Sequence, residues 1–462
     1  MENADLLSTQ ETLRGTPPAT KAVPAAKGWL RSVFGAIPAT SRLMPVAYSF
    51  ADQALAAGGS FLVSLAVART QTKEEYGLFA LSYSFYVFLA SIHNSTILEP
   101  YTVYGSGRYH ERFAEYLRLM LRCNAGLGLA LSGILGLAYL MLRWLAPQWA
   151  SRALLGLALT VGILLSGLFL RRAFYIQRQA ALAAKTSLVF FLIVASGLWL
   201  ATKAHVLDGF SAFLALALGW IVAGAAFGRE LAFGNPKQRF HELEPSYWRE
   251  HWKYSRWSLT TAFMFQFSTL GYYWFVGAFL SVKEVGELRA TYLIVMPVEQ
   301  VFIAISFVVL PALASHYAAK RMGNFLSLWK RNVLAVAGVT GLFALGVRIL
   351  GKSAMHVFYA GKFDGLAPLL YMLAVVPFLI GIGGTMINAL NAIEKPKLVL
   401  YAYICSSAVT LLAGIPLVAY FGLRGAAYGM LLSGATYAGA LAIGLLVSVQ
   451  KLGRTDVSVR YL

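Results

Sequence analysis

Residues 153–170 read ALLGLALTVGILLSGLFL, held between Arg152 and the pair Arg171-Arg172. No charge interrupts the run. Its length suits a helix crossing a hydrocarbon core, which takes roughly 20 apolar residues. Working outward, comparable runs recur about twelve times, from 45–68 through an eighth at 290–315, a ninth at 332–350 and a tenth at 366–390 to 425–449. In lipid every backbone donor and acceptor must be satisfied internally, so such runs are helices unless they close a barrel. A barrel needs short segments alternating apolar and polar, and these runs do not alternate.

Composition agrees. Of 462 residues, 58% are hydrophobic and 13% charged, whereas a soluble domain carries about 25% charged residues. The net charge is +19, but the basic residues sit between the runs, as topology determinants do, and do not call for nucleic acid. Counting loops alternately, roughly 28 of the 39 Lys and Arg fall on the side holding both ends of the chain, and roughly 11 on the other. That asymmetry assigns both termini to the cytoplasmic side of a multi-pass membrane protein, whose expected location is a bacterial inner membrane. Cys123 and Cys405 fall inside runs and read as small apolar fillers, not as a disulfide or metal site.

The expected organisation is all-α, with about twelve transmembrane helices in two six-helix bundles. Residues 1–44 form a tail and an interfacial helix, with Trp29, Leu30, Val33, Phe34 and Ile37 among basic residues. The tail has no signal-peptide core. One bundle covers 45–233, a charged linker with Pro236 and Pro245 covers 234–256, a second bundle covers 257–450, and 451–462 is a cytoplasmic tail.

The two halves carry an internal echo. Thr72-Lys73-Glu74-Glu75-Tyr76-Gly77, then Ser82-Tyr83, follows the first run. Ser281-Val282-Lys283-Glu284-Val285-Gly286, then Thr291-Tyr292, follows the seventh. Glu, Gly and Tyr coincide at one constant offset, and Pro100 and Pro311 close the second and eighth runs. With six runs per half, this predicts a parallel repeat about an axis along the membrane normal, a design that encloses a central cavity and works by rocking one half on the other.

At these residues the chain resembles the multidrug/oligosaccharidyl-lipid/polysaccharide exporter superfamily, in its polysaccharide-export branch of Wzx-type flippases. The matching stretches are Glu75-Tyr76-Gly77-Leu78-Phe79, Phe421-Gly422-Leu423-Arg424-Gly425-Ala426-Ala427-Tyr428-Gly429, and Asn391-Ala392-Ile393-Glu394-Lys395-Pro396-Lys397. The resemblance runs from about Pro45 onward. It implies a V-shaped pair of bundles that exports an undecaprenyl-pyrophosphate-linked glycan, such as an O-antigen, capsule or exopolysaccharide unit. Membrane lipids, a polysaccharide polymerase and chain-length proteins are the partners it implies, with no ATP and no cofactor.

Ionisable and amide groups inside runs are costly in lipid and face a cavity or a partner. Asp52 and Gln53 lie in the first run, His93 in the second with Glu99 at its end, Gln266 in the seventh, and Glu299 and Gln300 in the eighth. Asn388 and Asn391 close the tenth. One reading is a polar cavity lining in which Asp52 or Glu299 couples to a proton or a sodium ion. The other is helix–helix hydrogen bonds and ion pairs that fix packing. Arg42 and Arg256 enter the first and seventh runs from the basic side, placed to meet a pyrophosphate head, although ordinary anchoring explains them too. Tyr83, Tyr86, Tyr272, Tyr273 and Trp274 offer flat faces to sugars or fill the bundle. Tyr247, Trp248, Trp252 and Trp257 among basic residues read as an amphipathic interfacial segment.

Gly346-Val347-Arg348-Ile349-Leu350-Gly351-Lys352-Ser353 matches the phosphate-loop pattern letter for letter. It lies at the end of an apolar run and not between a strand and a helix, so it is not expected to bind nucleotide. Three further readings compete with the flippase. A cation-coupled drug or metabolite antiporter of the same superfamily shares its fold. A membrane glycosyltransferase or polymerase needs a larger outside loop than 351–365, whose acid is Asp364. A non-transporting component of polysaccharide assembly would tolerate loss of the interior polar groups.

Overall fold

Thr72 and Ser281 show how the local chemistry sets the helices. Each is an extended N-cap whose hydroxyl accepts the backbone N–H three residues on, from Glu75 at 3.1 Å and from Glu284 at 3.4 Å. Such a cap satisfies one of the four orphan donors that open a helix. The equivalence read from the sequence therefore extends to the structure of the two turns.

The computed structural model describes residues 43–107, 109, 112–146, 149, 151–231 and 246–459, and all regular structure among them is helical. The expected interfacial helix before residue 43, and Arg42 with it, lies outside the described residues. In chain order the helices are α1 (Leu43–Thr70), α2 (Lys73–His93), α3 (Glu99–Ser106), α4 (Phe113–Leu145), α5 (Arg152–Ile176), α6 (Ala180–Lys203) and α7 (Gly209–Phe227). After the gap come α8 (Ser246–Phe279), α9 (Val282–Ala318), α10 (Met322–Tyr359), α11 (Ala367–Leu373), α12 (Val376–Ala392), α13 (Pro396–Val409) and α14 (Ile415–Val459). Residues Asn94–Leu98 join α2 to α3 by a π turn, and Thr410–Gly414 join α13 to α14 by another. The phosphate-loop look-alike lies wholly inside α10.

Among the described residues, ten stretches are long and apolar enough to cross a membrane, the last being Pro396–Gln450. That last stretch is too long for one crossing, and Gly422 breaks it with φ 59° and ψ −138°. A left-handed backbone of this kind suits glycine. The chain reverses there. A β-carbon on Gly425 would lie 1.8 Å from the carbonyl oxygen of Leu417, Ser406 donates to the carbonyl of Ser433 at 3.1 Å, and Gly444 lies against Leu398. These partners pair in descending against ascending order, so the stretch is an antiparallel hairpin, and the long apolar helices number eleven. The seventh expected run lies in α8, whose first turns carry Arg249, Lys253 and Arg256 and fall short of that hydropathy.

Helix bounds correct the sequence expectations in four places. Residues from Ser246 of the expected linker 234–256 are helical and continuous with the seventh run. Helix α10 starts at Met322, a decade before the expected 332, and α14 runs through the expected tail 451–462 as far as Val459. Charged and polar residues extend these helices past the apolar zone, which a hydropathy reading truncates. The tenth run is split at Ala374 and Val375 into α11 and α12, ahead of Pro377.

The closest backbone approach sits on the repeat. A β-carbon on Gly77 would meet the carbonyl oxygen of Val282 at 1.7 Å, and one on Gly286 would meet that of Lys73 at 2.5 Å. Small residues permit such contact where helices pack without a hydrophobic driving force from water. The largest apolar cluster runs through both halves, from Val63, Phe79 and Phe213 to Val276, Val285 and Leu370.

The two lateral seams between the halves differ. Along the seam of α2 with α8, contacts recur from end to end. Trp274 Nε1 donates to Ser84 Oγ at 3.0 Å, Phe88 packs edge-on to Phe263 and Trp274, Ser258 donates to Glu99, and Tyr116 shares a 2.9 Å hydrogen bond with His251. Between α1 and α9, the equivalent pair, no hydrogen bond, ion pair or ring contact occurs among the described residues. Helix α9 carries Pro297 and Pro311 in its interior.

Candidate functional site

Asp52, the first candidate, is buried in α1 and fully occupied. Arg171 of α5 donates from Nε to Oδ1 at 2.9 Å and from Nη2 to Oδ2 at 2.6 Å. Tyr175 donates to Oδ2 at 2.6 Å, and Ser187 of α6 to Oδ1 at 2.5 Å. A bidentate guanidinium pair with two further donors saturates the carboxylate. The group pins α1, α5 and α6 together, which is the packing role the sequence left open. Gln53, beside it, is exposed.

His93 belongs to a second pin. Its Nε2 lies 2.7 Å from Asn124 Oδ1, Asn124 donates to Ser166 at 2.9 Å, and Ser166 donates to the carbonyl of Gly162 at 2.8 Å. The chain ties α2, α4 and α5. Asn388 does the same in the second half by donating to Ser306 at 2.9 Å. Asn391 is exposed at the end of α12.

Glu99 sits where the π turn widens the second run. It accepts from Asn94 Nδ2 at 2.9 Å and from Ser258 of α8, while Arg172 donates to Asn94 Oδ1 at 3.2 Å. Neighbouring Arg171 and Arg172 thus diverge, one to Asp52 and one to the π turn. Insertions of this kind often mark functional positions, because they free a carbonyl from the helix ladder.

Arg289 was not among the candidates, and it is a charge buried deep among the described helices. It lies in α9 at 7% exposure, with its guanidinium carbon 5.1 Å from the ring centre of Tyr83. Tyr76 and Tyr273 complete its surroundings. Its Nε has no hydrogen-bond partner, and it forms no ion pair among the described residues. Cation–π contact and the facing tyrosines offset part of the burial cost. Glu299, later on α9, accepts from Tyr292 and pairs with no cation among the described residues. The sequence reading set the eighth run at 290–315 and so counted Arg289 with the loop. The N-cap at Ser281 was the missed signal: a helix beginning there carries Arg289 two turns inside.

The other candidates scatter. Arg256 is exposed, with its guanidinium 5.8 Å from the Trp257 ring centre, as an anchor would be. Gln266 is half-buried and Gln300 exposed. The aromatic residues weighed for sugar binding fill the bundle. Tyr272 is buried between Gly414 and Gly429 and shares a 2.7 Å hydrogen bond with Ser433, Trp274 packs on Ser84, and Tyr83 lies against Arg289. The first turns of α8 are amphipathic: Trp252 and Trp257 are exposed, whereas His251 and Ser255 are buried.

No family model matches the chain, and no curated protein matches it. Solved structures do. An inward-facing multidrug resistance MATE family transporter of the MOP superfamily is 14% identical over 88% of this chain and 95% of that one, with a TM-score of 0.71. A MOP superfamily transporter from Pyrococcus furiosus, described by the reverse polarity of its binding pocket, is 12% identical over 88% and 94%, at 0.64. An outward-facing multidrug resistance MATE family transporter is 13% identical over 90% and 96%, at 0.62. At such identities the likeness establishes the fold: this chain has the all-helical architecture of MOP-superfamily membrane transporters.

Proposed function

We propose that the protein is a secondary transporter that moves an anionic amphiphile across the membrane by alternating access, in the MOP fold. The solved neighbours are transporters and not enzymes, which supports the transport class. Taken alone, their multidrug descriptions favour the drug or metabolite antiporter over the glycan flippase. The polarity of the interior argues the other way for the cargo.

The observation that carries the reading is Arg289, a buried cation with no ion pair among the described residues, while the one buried acid of the first run, Asp52, is already neutralised by Arg171. An organic cation entering beside Arg289 would be repelled. A phosphate or pyrophosphate head would replace its own hydration with guanidinium and tyrosine donors. That one neighbour of the same fold is described by a reversed pocket polarity fits a superfamily in which charge sets the cargo. The unequal seams support an amphiphile. With α2 and α8 joined along their length and α1 and α9 not, a head could enter between α1 and α9 while its tail stays in lipid.

A lipid-linked glycan, the cargo that the sequence resemblance implies, meets both requirements. The charge asymmetry of the loops favours the α1–α2 turn on the outer face, the end at which Gly77 and Gly286 bring the halves together. A doubly negative head leaving a negative-inside cell gains about 2.3 kcal/mol per charge per 100 mV. Glu299, an interior acid with no ion pair among the described residues, is the candidate for proton or sodium coupling. A polymerase and chain-length proteins would then receive the product.

Two assays on one liposome preparation test this. Outer-leaflet exposure of a fluorescent polyprenyl-pyrophosphate glycan is followed by quencher, and efflux of a cationic dye is followed in parallel. Protein-dependent exposure without dye efflux supports the reading. Dye efflux without exposure would replace it by the antiporter.

A further inference from the structure

The turn between α10 and α11 reaches from the second half of the chain onto the first. Ala360 and Gly361 both adopt left-handed backbone, with φ of 51° and 83°, and so reverse the chain sharply after α10. His356 Nδ1 and Asp364 Oδ2, 2.7 Å apart, brace the reversal from either side. Two consecutive side chains are thereby aimed at the α1–α2 turn. The Lys362 ammonium donates to the carbonyl oxygens of Ala68 at 2.9 Å and Arg69 at 3.1 Å, and to that of Gln71. Ala68 and Arg69 belong to the last turn of α1 and Gln71 follows it, a place where a cation is favoured both by hydrogen bonding and by the helix dipole. Phe363, at 1% exposure, fills a pocket made by Tyr76 and Tyr359, with Lys73 Nζ 5.3 Å from its ring centre. Lys73 in turn pairs with Glu287 at 2.7 Å.

We propose that the α10–α11 turn is a latch that holds this end of the transporter shut, with Lys362 capping α1 and Phe363 plugging the Tyr76–Tyr359 pocket. The proposal rests on the alternating-access reading. The Lys362 hydrogen bonds and the contacts of Phe363 with Tyr76 and Lys73 join one half of the repeat to the other, so rocking the halves apart at this end must withdraw both side chains. The three carbonyls would then lose a charged donor and the pocket its ring. Because the caps are backbone atoms, the strength of the latch depends on the residue at position 362 and not on the identities of its partners.

Spin labels at positions 74 and 365 flank the latch, since Glu74 is exposed and a side chain at Gly365 would meet open space. Distances between them are measured in the full-length protein, with Cys123 and Cys405 changed to alanine. Wild type is expected to give one short distance. Lys362→Met is expected to raise the ratio of long to short distances by about tenfold or more, as losing a charge-assisted cap implies. Lys362→Arg, which keeps a cationic donor, should stay near wild type, and so should Lys352→Met on the same end of α10. A Lys362→Met distribution that superposes on wild type, or an equal shift in Lys352→Met, would overturn the latch. The distances require no substrate, so failure of every transport assay would sink the functional reading without deciding this one.

Discussion

Gly77 and Gly286 hold equivalent places in the two halves, and each lies against the other's helix: a β-carbon on the first would stand 1.7 Å from the carbonyl oxygen of Val282, and one on the second 2.5 Å from that of Lys73. The relation is reciprocal, since Val282 and Lys73 are themselves equivalents. A local two-fold axis therefore passes between the glycines, and the sequence echo marks the place where the halves cross.

Alanine at either glycine should be poorly tolerated, because the atom it would strike is backbone and cannot rotate away. Gly77→Ala is expected to cost at least the roughly 1–3 kcal/mol of ordinary overpacking and to lower the thermal midpoint in detergent. Gly126→Ala, whose β-carbon meets nothing within 4 Å, should leave the midpoint unchanged or slightly raised. Equal midpoints for the two variants would remove the crossing from the account.

Asp52 and Arg171 form a buried pair with side-chain exposures of 0% and 11%. Removing one partner strands the other, so Asp52→Asn or Arg171→Gln alone should each destabilise by about 3–5 kcal/mol. The double variant should cost clearly less than the sum. Additive losses in thermal unfolding would mean that the pair is not the pin described.

His251 lies ahead of the span expected from Trp257, and burial pushes its pKa down to about 4, with Glu250 opposing. Docked against Tyr116 it stays neutral, whereas the undocked side chain takes up a proton near pH 6.5. Docking should therefore be full above about 6.5 and weaken as the pH falls towards 4. Hydrogen exchange in the first turns of α8 should rise across that window, and His251→Gln should flatten the dependence. Exchange that does not vary with pH in wild type would contradict it.

Much of the fold was legible because lipid leaves the backbone no alternative to the helix, so long apolar runs such as 153–170 could be read directly. The equivalence of Gly77 and Gly286 was legible as an echo between the halves, but their contact with each other's helices was not. The site was less so. Asp52 and Arg171 stand far apart in sequence, and nothing in an apolar helix announces which face meets which neighbour. The pin of His93, Asn124 and Ser166 was hidden for the same reason. Arg289 escaped because hydropathy ends a run at its last apolar residue, whereas the helix itself begins at its cap. Extension of α10 back to Met322 repeats that error on a structural residue.

Arg289 bears most of the functional account, and one measurement tests it directly: exposure of a fluorescent polyprenyl-pyrophosphate glycan in liposomes holding wild type, Arg289→Lys or Arg289→Gln, with thermal midpoints recorded alongside. The account expects robust exposure with wild type, partial exposure with the lysine variant, and a loss of about tenfold or more with the glutamine variant at an unchanged midpoint, as removal of a charge-assisted contact implies. Exposure by a folded Arg289→Gln protein at the wild-type rate would contradict it.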